Sequence, residues 1–241
     1  MSQGLLIQQP TATQTNQTLF SLNMPNVTDL FPGFKPGDFA VVYGSPTINS
    51  VMSLLCVRAQ LPTQLGGLNS NVVFIEGGNT FRQAKIARFA QIHHLNPKKA
   101  LNRICLTQAF TAYQITNIIL ERLHSIMEKN GAKLVIISDI AGLFLNEDIP
   151  EEEAKRAYSQ LTAYLQDFAR QNQVIVIATY LSRQNCSRHR YLREVSFDNA
   201  TVVTAFRQTP YDREFTLEKH PQFMLGTADF SLEHLPLTDF M

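Results

Sequence analysis

Cysteine is scarce in this chain: three in 241 residues, at positions 56, 105 and 186, and none in a CxxC pair. That excludes a disulfide framework and a zinc site built on paired thiolates. It suits a reducing compartment, cytoplasmic or, in a eukaryote, nuclear. No apolar run approaches the ~18 residues of a membrane helix. The first eighteen residues have no basic segment and no long apolar stretch, which argues against a secretory signal. An excess of either charge is missing too, with 21 Lys and Arg against 20 Asp and Glu. A globally basic nucleic-acid coat is therefore excluded, although a local basic patch is not. No repeat of about 20–50 residues is present, which removes solenoids.

What is present is globular composition, 44% apolar and 17% charged, at a length that suits one α/β-sized domain. Residues 1–25 read as a disordered lead, since the uncharged Gln, Thr and Asn of its first eighteen positions cannot offset the entropy of ordering. From Asp38 onward short apolar runs alternate with helical patterns. The runs at 39–43, 71–76, 103–106, 133–138 and 174–178 predict buried strands. Segments 48–60, 80–93, 111–129 and 151–171 predict helices. Pro150 and three glutamates mark the start of the last, where negative charge suits the helix dipole. Residues 200–206 and 214–219 read as strands with no helix between the later ones. Together this predicts a mostly parallel sheet flanked by helices with an antiparallel C-terminal extension, over a core of residues 26–220. Residues 221–241, acidic and aromatic, predict an edge strand or a docking tail.

In such a sheet the ligand sits at the carboxyl ends of the strands, so the first strand-to-helix turn is examined first. It reads Gly44-Ser45-Pro46-Thr47-Ile48-Asn49-Ser50-Val51. A phosphate loop needs G-x-x-x-x-G-K-[ST], and only Gly44 matches. Asn49 stands at the second glycine, Ser50 at the lysine and Val51 at the magnesium-binding hydroxyl. Ser45-Pro46-Thr47 then reads as a tight turn, though an anion at the helix start stays open.

The order of NVTDLFPGFKPGD (26–38), the altered loop, VFIEGGNTFR (73–82), KLVIISDIAGLF (133–144) and VIVIATYLS (174–182) resembles the core of the RecA/RadA recombinase family, its archaeal and eukaryotic branch. The resemblance spans about residues 26–220, and Thr80-Phe81-Arg82 is its most specific piece. It implies a RecA-like fold. It also implies that the family's water-activating glutamate falls on Gly78, after Glu76 at the end of the second strand. The family's magnesium-site aspartate falls on Ser138, with Asp139 one residue late. With the lysine, hydroxyl, glutamate and aspartate all changed, the groups on which phosphoryl transfer depends are missing. The expectation is a pseudo-ATPase with no required cofactor, neither ATP nor magnesium.

The resemblance further implies two DNA-binding loops. The first falls on 143–153, which holds five acids and no Lys or Arg. It should repel phosphate. The second falls on 182–193, where Arg183, Arg188, His189, Arg190, Tyr191 and Arg193 mix cations with rings and no acid intervenes. That mixture suits single-stranded DNA, and the competing reading is a solvated loop whose arginines pair with the 147–153 acids. His93, His94 and His189 lack Asp or Cys partners at ligand spacing, so no metal is expected. The expected role is an accessory factor in DNA recombination or repair that binds single-stranded DNA, a recombinase partner, or both, as a homo- or hetero-oligomer away from membranes. An ATPase completed by a neighbouring subunit and a scaffold binding neither ligand are the alternatives.

Overall fold

Alternating side chains along the first strand, β1 (Phe39–Gly44), enter two different cores: Phe39 and Val41 one, Ala40 and Val42 the other. A strand buried on both faces needs helices above and below the sheet, and the chain supplies them. A computed structural model describes residues 19–181, 186–209 and 213–230. Residues 1–18 of the disordered lead expected over 1–25, Arg183 and residues 231–241 of the expected tail lie outside the described residues.

After β1 come α2 (Ile48–Arg58), β2 (Asn71–Glu76), α3 (Gln83–Ile92), α4 (Pro97–Asn102) and β3 (Ile104–Gln108), preceded by α1 (Pro25–Leu30). A long helical stretch follows: α5 (Ala112–Asn117), a π turn at Ile118–Arg122, and α6 (Leu123–Asn130), ended by Gly131 at φ 56°. Then come β4 (Ala132–Ser138), α7 (Glu151–Asn172), β5 (Ile175–Leu181), α8 (Ser187–Asn199), β6 (Val202–Gln208), β7 (Arg213–Lys219) and β8 (Gly226–Asp229). The eight strands lie in the order β3-β2-β4-β5-β1-β6-β7-β8. The first six are mutually parallel and the last two antiparallel. The expected mostly parallel sheet with helices on both faces is therefore what the chain builds. No helix among the described residues is long and apolar enough to cross a membrane.

Two details differ from the sequence reading. The helix α8 intervenes between β5 and β6, so β6 runs parallel beside β1 and the antiparallel extension begins one strand later, at β7. Periodicity missed this helix because its buried side chains are His189, Leu192 and Ser196, two of the three polar. The other difference is at the start of the described residues, where 19–25 of the expected disordered lead are packed. Phe20, Leu22 and Met24 are buried, and Phe20 bridges to Phe34. Buried Arg58 holds this segment, donating from Nε to the Ser21 carbonyl at 2.8 Å and from Nη2 to the Leu65 carbonyl at 3.0 Å. Burial pulls its guanidinium down to about 10, still charged at neutral pH. At the other end Phe223 packs on Phe31, and Phe230 is buried against Phe206.

Two histidines make the fold sensitive to acid. Burial depresses both His93 and His220 to about 4, helped by Arg58 and Lys35 respectively. Both are neutral in the native state and take up protons on unfolding, so their contribution is complete above pH ~6.5 and is lost as pH falls towards 4. Thermal unfolding between pH 7 and 4 should show a falling Tm. The double variant His93→Gln/His220→Gln should flatten that slope; an unchanged slope would assign the acid sensitivity elsewhere.

Candidate functional site

The carboxyl ends of β1, β2, β4 and β5 meet at the centre of the sheet, and the sequence-selected residues of the first turn, Glu76–Gly78 and Ser138–Asp139 all lie there. Gly44 ends β1 at φ 122°, and a Cβ at this position would stand 2.1 Å from the Phe206 carbonyl oxygen. Glycine is thus required here by β6 passing alongside, whatever the turn binds. The Ser45 amide donates to that same carbonyl at 2.8 Å.

The following amides bond back inside the turn. Ile48, Asn49 and Ser50 donate to the carbonyls of Ser45, Pro46 and Thr47 at 3.1, 3.1 and 2.9 Å, and Val51 donates to Thr47 at 3.1 Å. The Thr47 hydroxyl donates to Gln208 Oε1. The Val51 side chain is buried in the core. Ser50 accepts a hydrogen bond from the Lys85 ammonium at 2.7 Å. Lys85 lies on α3, and no local pattern in the sequence pointed to it; packing of α3 on α2 brings its ammonium to Ser50, the residue that stands at the lysine of the phosphate-loop pattern.

Glu76, only 3% exposed, organises the second part of the site. Its Oε1 accepts from the Gly78 amide at 3.0 Å and from the Ser138 hydroxyl. Its Oε2 accepts from the amides of Thr80 at 3.0 Å and Phe81 at 2.5 Å. One carboxylate thereby folds the Gly77–Phe81 loop around itself and ties β2 to β4. This explains why Thr80-Phe81 takes its shape: both amides are anchored, and the Phe81 ring packs edge-on against Phe74 at 5.0 Å.

Asp139 follows Ser138 in the left-handed region, at φ 48°, and its amide donates to Thr179 Oγ1 at 2.8 Å. That conformation sends its side chain towards Gly78. A Cβ on Gly78 would stand 2.6 Å from the Cβ of Asp139, so the two positions compete for one space. Among the described residues no group of three or more His, Cys, Asp or Glu is placed to hold a metal ion.

The arginine segment is not a loop. Residues 187–193 form the first two turns of α8, capped by Cys186, whose sulfur accepts from the His189 amide at 3.4 Å. The helix distributes five of the six expected DNA residues, all but Arg183, differently from a loop. Arg188 Nη1 reaches the carbonyls of Phe144, Asn146 and Ile149 at 3.3, 3.0 and 3.3 Å. Its charge therefore docks on the 143–153 segment through backbone oxygens. His189 is buried with its ring 5.3 Å from that of Tyr180. Tyr191 shares a hydrogen bond with Ser159 at 3.0 Å, and Arg193 lies over the rings of Phe197 and Tyr43 at 5.2 and 5.6 Å. Arg190 is exposed.

Arg188→Ala should therefore cost stability, about 2 kcal/mol for a charged donor shared by three carbonyls. Arg190→Ala should stay within about 0.5 kcal/mol of the parent. Urea unfolding of both variants checks this, and equal effects would contradict the contacts described.

Comparison with known proteins is decisive at this point. The sequence model of the Rad51 family matches residues 26–194. The chain belongs to the Rad51 family. It is also similar to the DNA repair and recombination protein RadA of Cenarchaeum symbiosum (strain A), 28% identical over 117 residues. That stretch is 48% of this chain and 29% of the relative, so the chain matches less than a third of the relative's length. Membership in this recombination and repair family agrees with the RecA-like arrangement of a mostly parallel, helix-flanked sheet.

Proposed function

We propose that this Rad51-family protein is an accessory factor in DNA recombination or repair that does not hydrolyse ATP, acting through single-stranded DNA, a recombinase partner, or both. The observation that carries the reading is the first turn. The amides of Ser45 and of Ile48 to Val51 all donate to backbone carbonyls, whereas a phosphate loop leaves such donors for its anion. Val51 offers no oxygen to magnesium, and Gly78 has no side chain to activate water. A magnesium nucleotide does not fit this turn as it is folded, so no step of the mechanism runs through one.

Lys85, bonded to Ser50, supplies one cation beside the turn, and a single exposed lysine does not replace the missing set. Glu76 is read as a structural acid, because its four hydrogen-bond partners are all donors that shape the loop. On the DNA side the reading rests on Arg190, exposed on α8, and on Arg183, with Arg188 holding the helix start in place. Arg193 over Tyr43 and Phe197 adds a further cation to the same helix.

The test has two parts. Thermal unfolding with and without millimolar magnesium-ATP should give the same Tm, and steady-state phosphate release should equal the blank. Anisotropy of labelled single-stranded DNA should show salt-dependent binding with a log–log slope of about −0.7 per phosphate contact. That slope should shrink in Arg190→Ala. Turnover of ATP by the pure protein would sink the first part. Binding that ignores both salt and Arg190 would sink the second.

A further inference from the structure

Charge is segregated along this nearly neutral chain. Residues 39–120 hold seven Lys and Arg and a single acid, Glu76, and Glu76 is buried at 3% exposure and enclosed by four donors. The helices α2, α3 and α4 contain no acid at all. They pack as one layer over one face of the sheet, α3 lying between α2 and α4. Arg82, Lys85, Lys98 and Lys99 are exposed on it. Lys85 reaches from α3 to Ser50 at the start of α2 and is still exposed. The other acid within this layer, Asp29, is on α1, which packs at the far edge against β8.

The acids sit mainly on the opposite layer and the antiparallel edge. Residues 121–200 hold eleven, including the three that open α7. A chain of net charge +1 thus presents one helical hairpin, α3–α4, whose exposed charges are all cations.

We propose that the exposed face of the α3–α4 hairpin, which covers the buried α2, is a binding surface for the phosphate backbone of duplex DNA, separate from the α8 surface. Its recognition chemistry is cationic and sequence-independent. The exposed cations are spread over the α3–α4 hairpin, whose ten-residue α3 spans ~15 Å at 1.5 Å per residue. That length faces roughly nine phosphate charges of a duplex, at one per about 1.7 Å. Single strands are the poorer occupant. They are held by exposed rings as well as by charge, and the nearest ring, Phe81, is packed against Phe74. The exposed Phe110 and Tyr113 follow β3 and belong to the other layer.

The proposal goes beyond the functional reading above and does not depend on it. The test is anisotropy of a labelled duplex of about 30 base pairs with the full chain, between roughly 50 and 200 mM salt. Four contacts at about −0.9 each predict a log–log slope near −3.6. Arg82→Gln/Lys85→Gln/Lys98→Gln/Lys99→Gln should lose at least about tenfold in affinity at the lowest salt, with most of the slope. The milder Lys98→Gln/Lys99→Gln, at exposed positions of α4, should lose about 1.8 of the slope while keeping the parent Tm.

Duplex binding by both variants that matches the parent would overturn the proposal. So would parent protein that ignores duplex but binds phosphatidylserine vesicles through the same lysines. Arg190→Ala separates the two readings, because it should weaken the single strand and leave the duplex slope unchanged. Loss of duplex binding in Arg190→Ala alone would also overturn the second surface.

Discussion

Glu76→Ala is expected to lower stability by about 3–4 kcal/mol, the largest single-residue effect in the site. The Ser138 hydroxyl and the amides of Thr80 and Phe81 lose their acceptor together, and the Gly78 amide keeps only its longer bond to Ser138 Oγ at 3.3 Å. Thr80 and Ser138 are buried, so water cannot fully replace the carboxylate, and a buried donor left unmade costs about 1–3 kcal/mol. In a domain of this size the loss corresponds to roughly 10 °C in Tm. Glu76→Gln should fall between the two, because an amide turns one accepting oxygen into a donor that faces donors. Urea unfolding with an unchanged m-value is the measurement. A loss in Glu76→Ala below about 1 kcal/mol would mean that the loop holds itself.

The second large effect is a coupling. Gly78→Ala places a Cβ 2.6 Å from the Cβ of Asp139 and 3.3 Å from Thr80 Cγ2. Neither Cβ is the end of a flexible chain, so the backbone must move, at a cost of about 1–3 kcal/mol. Gly78→Glu, which would restore the glutamate implied by the resemblance, adds a third carboxylate beside those of Asp139 and Glu76 and should cost more. Asp139→Gly removes the obstacle and suits the left-handed φ of 48°, where glycine is unstrained. In Gly78→Ala/Asp139→Gly the penalty should be largely recovered, with an interaction of roughly 1–3 kcal/mol in the double-mutant cycle. Additive losses would show that the two positions do not share space.

Most of the framework was legible in the chain. The runs FAVVY, NVVFIE and KLVIIS are consecutively apolar, and a strand covered on both faces needs no alternation, so β1, β2 and β4 were read within a residue or two. The glutamates and Pro150 marked the start of α7 at its true position. The helix α8 was not legible, because it buries His189 and Ser196 among tyrosine hydroxyls and leaves arginines outside. Tyr180 of β5 bonds the His189 carbonyl and Tyr158 of α7 the Ser196 hydroxyl, partners that no local window contains. The π turn at Ile118–Arg122 and the short α4 were equally invisible to a pattern of 3.6 residues.

The site divides along the same line. That Asn49, Ser50, Val51 and Gly78 stand where the family pattern has other residues is a property of the sequence alone, as is the family resemblance borne out by the Rad51 match. Where each donor goes is not. Whether an amide is free for an anion or bonded to a carbonyl, whether Arg188 faces solvent or three carbonyls of a distant segment, and whether Asp139 takes the space beside Gly78 depend on elements far apart in the chain. Burial periodicity is a local property, read over a few residues of one element. Hydrogen-bond partners and excluded volume are set only when α8 meets the 144–149 segment, α3 meets α2, and β2 lies beside β4.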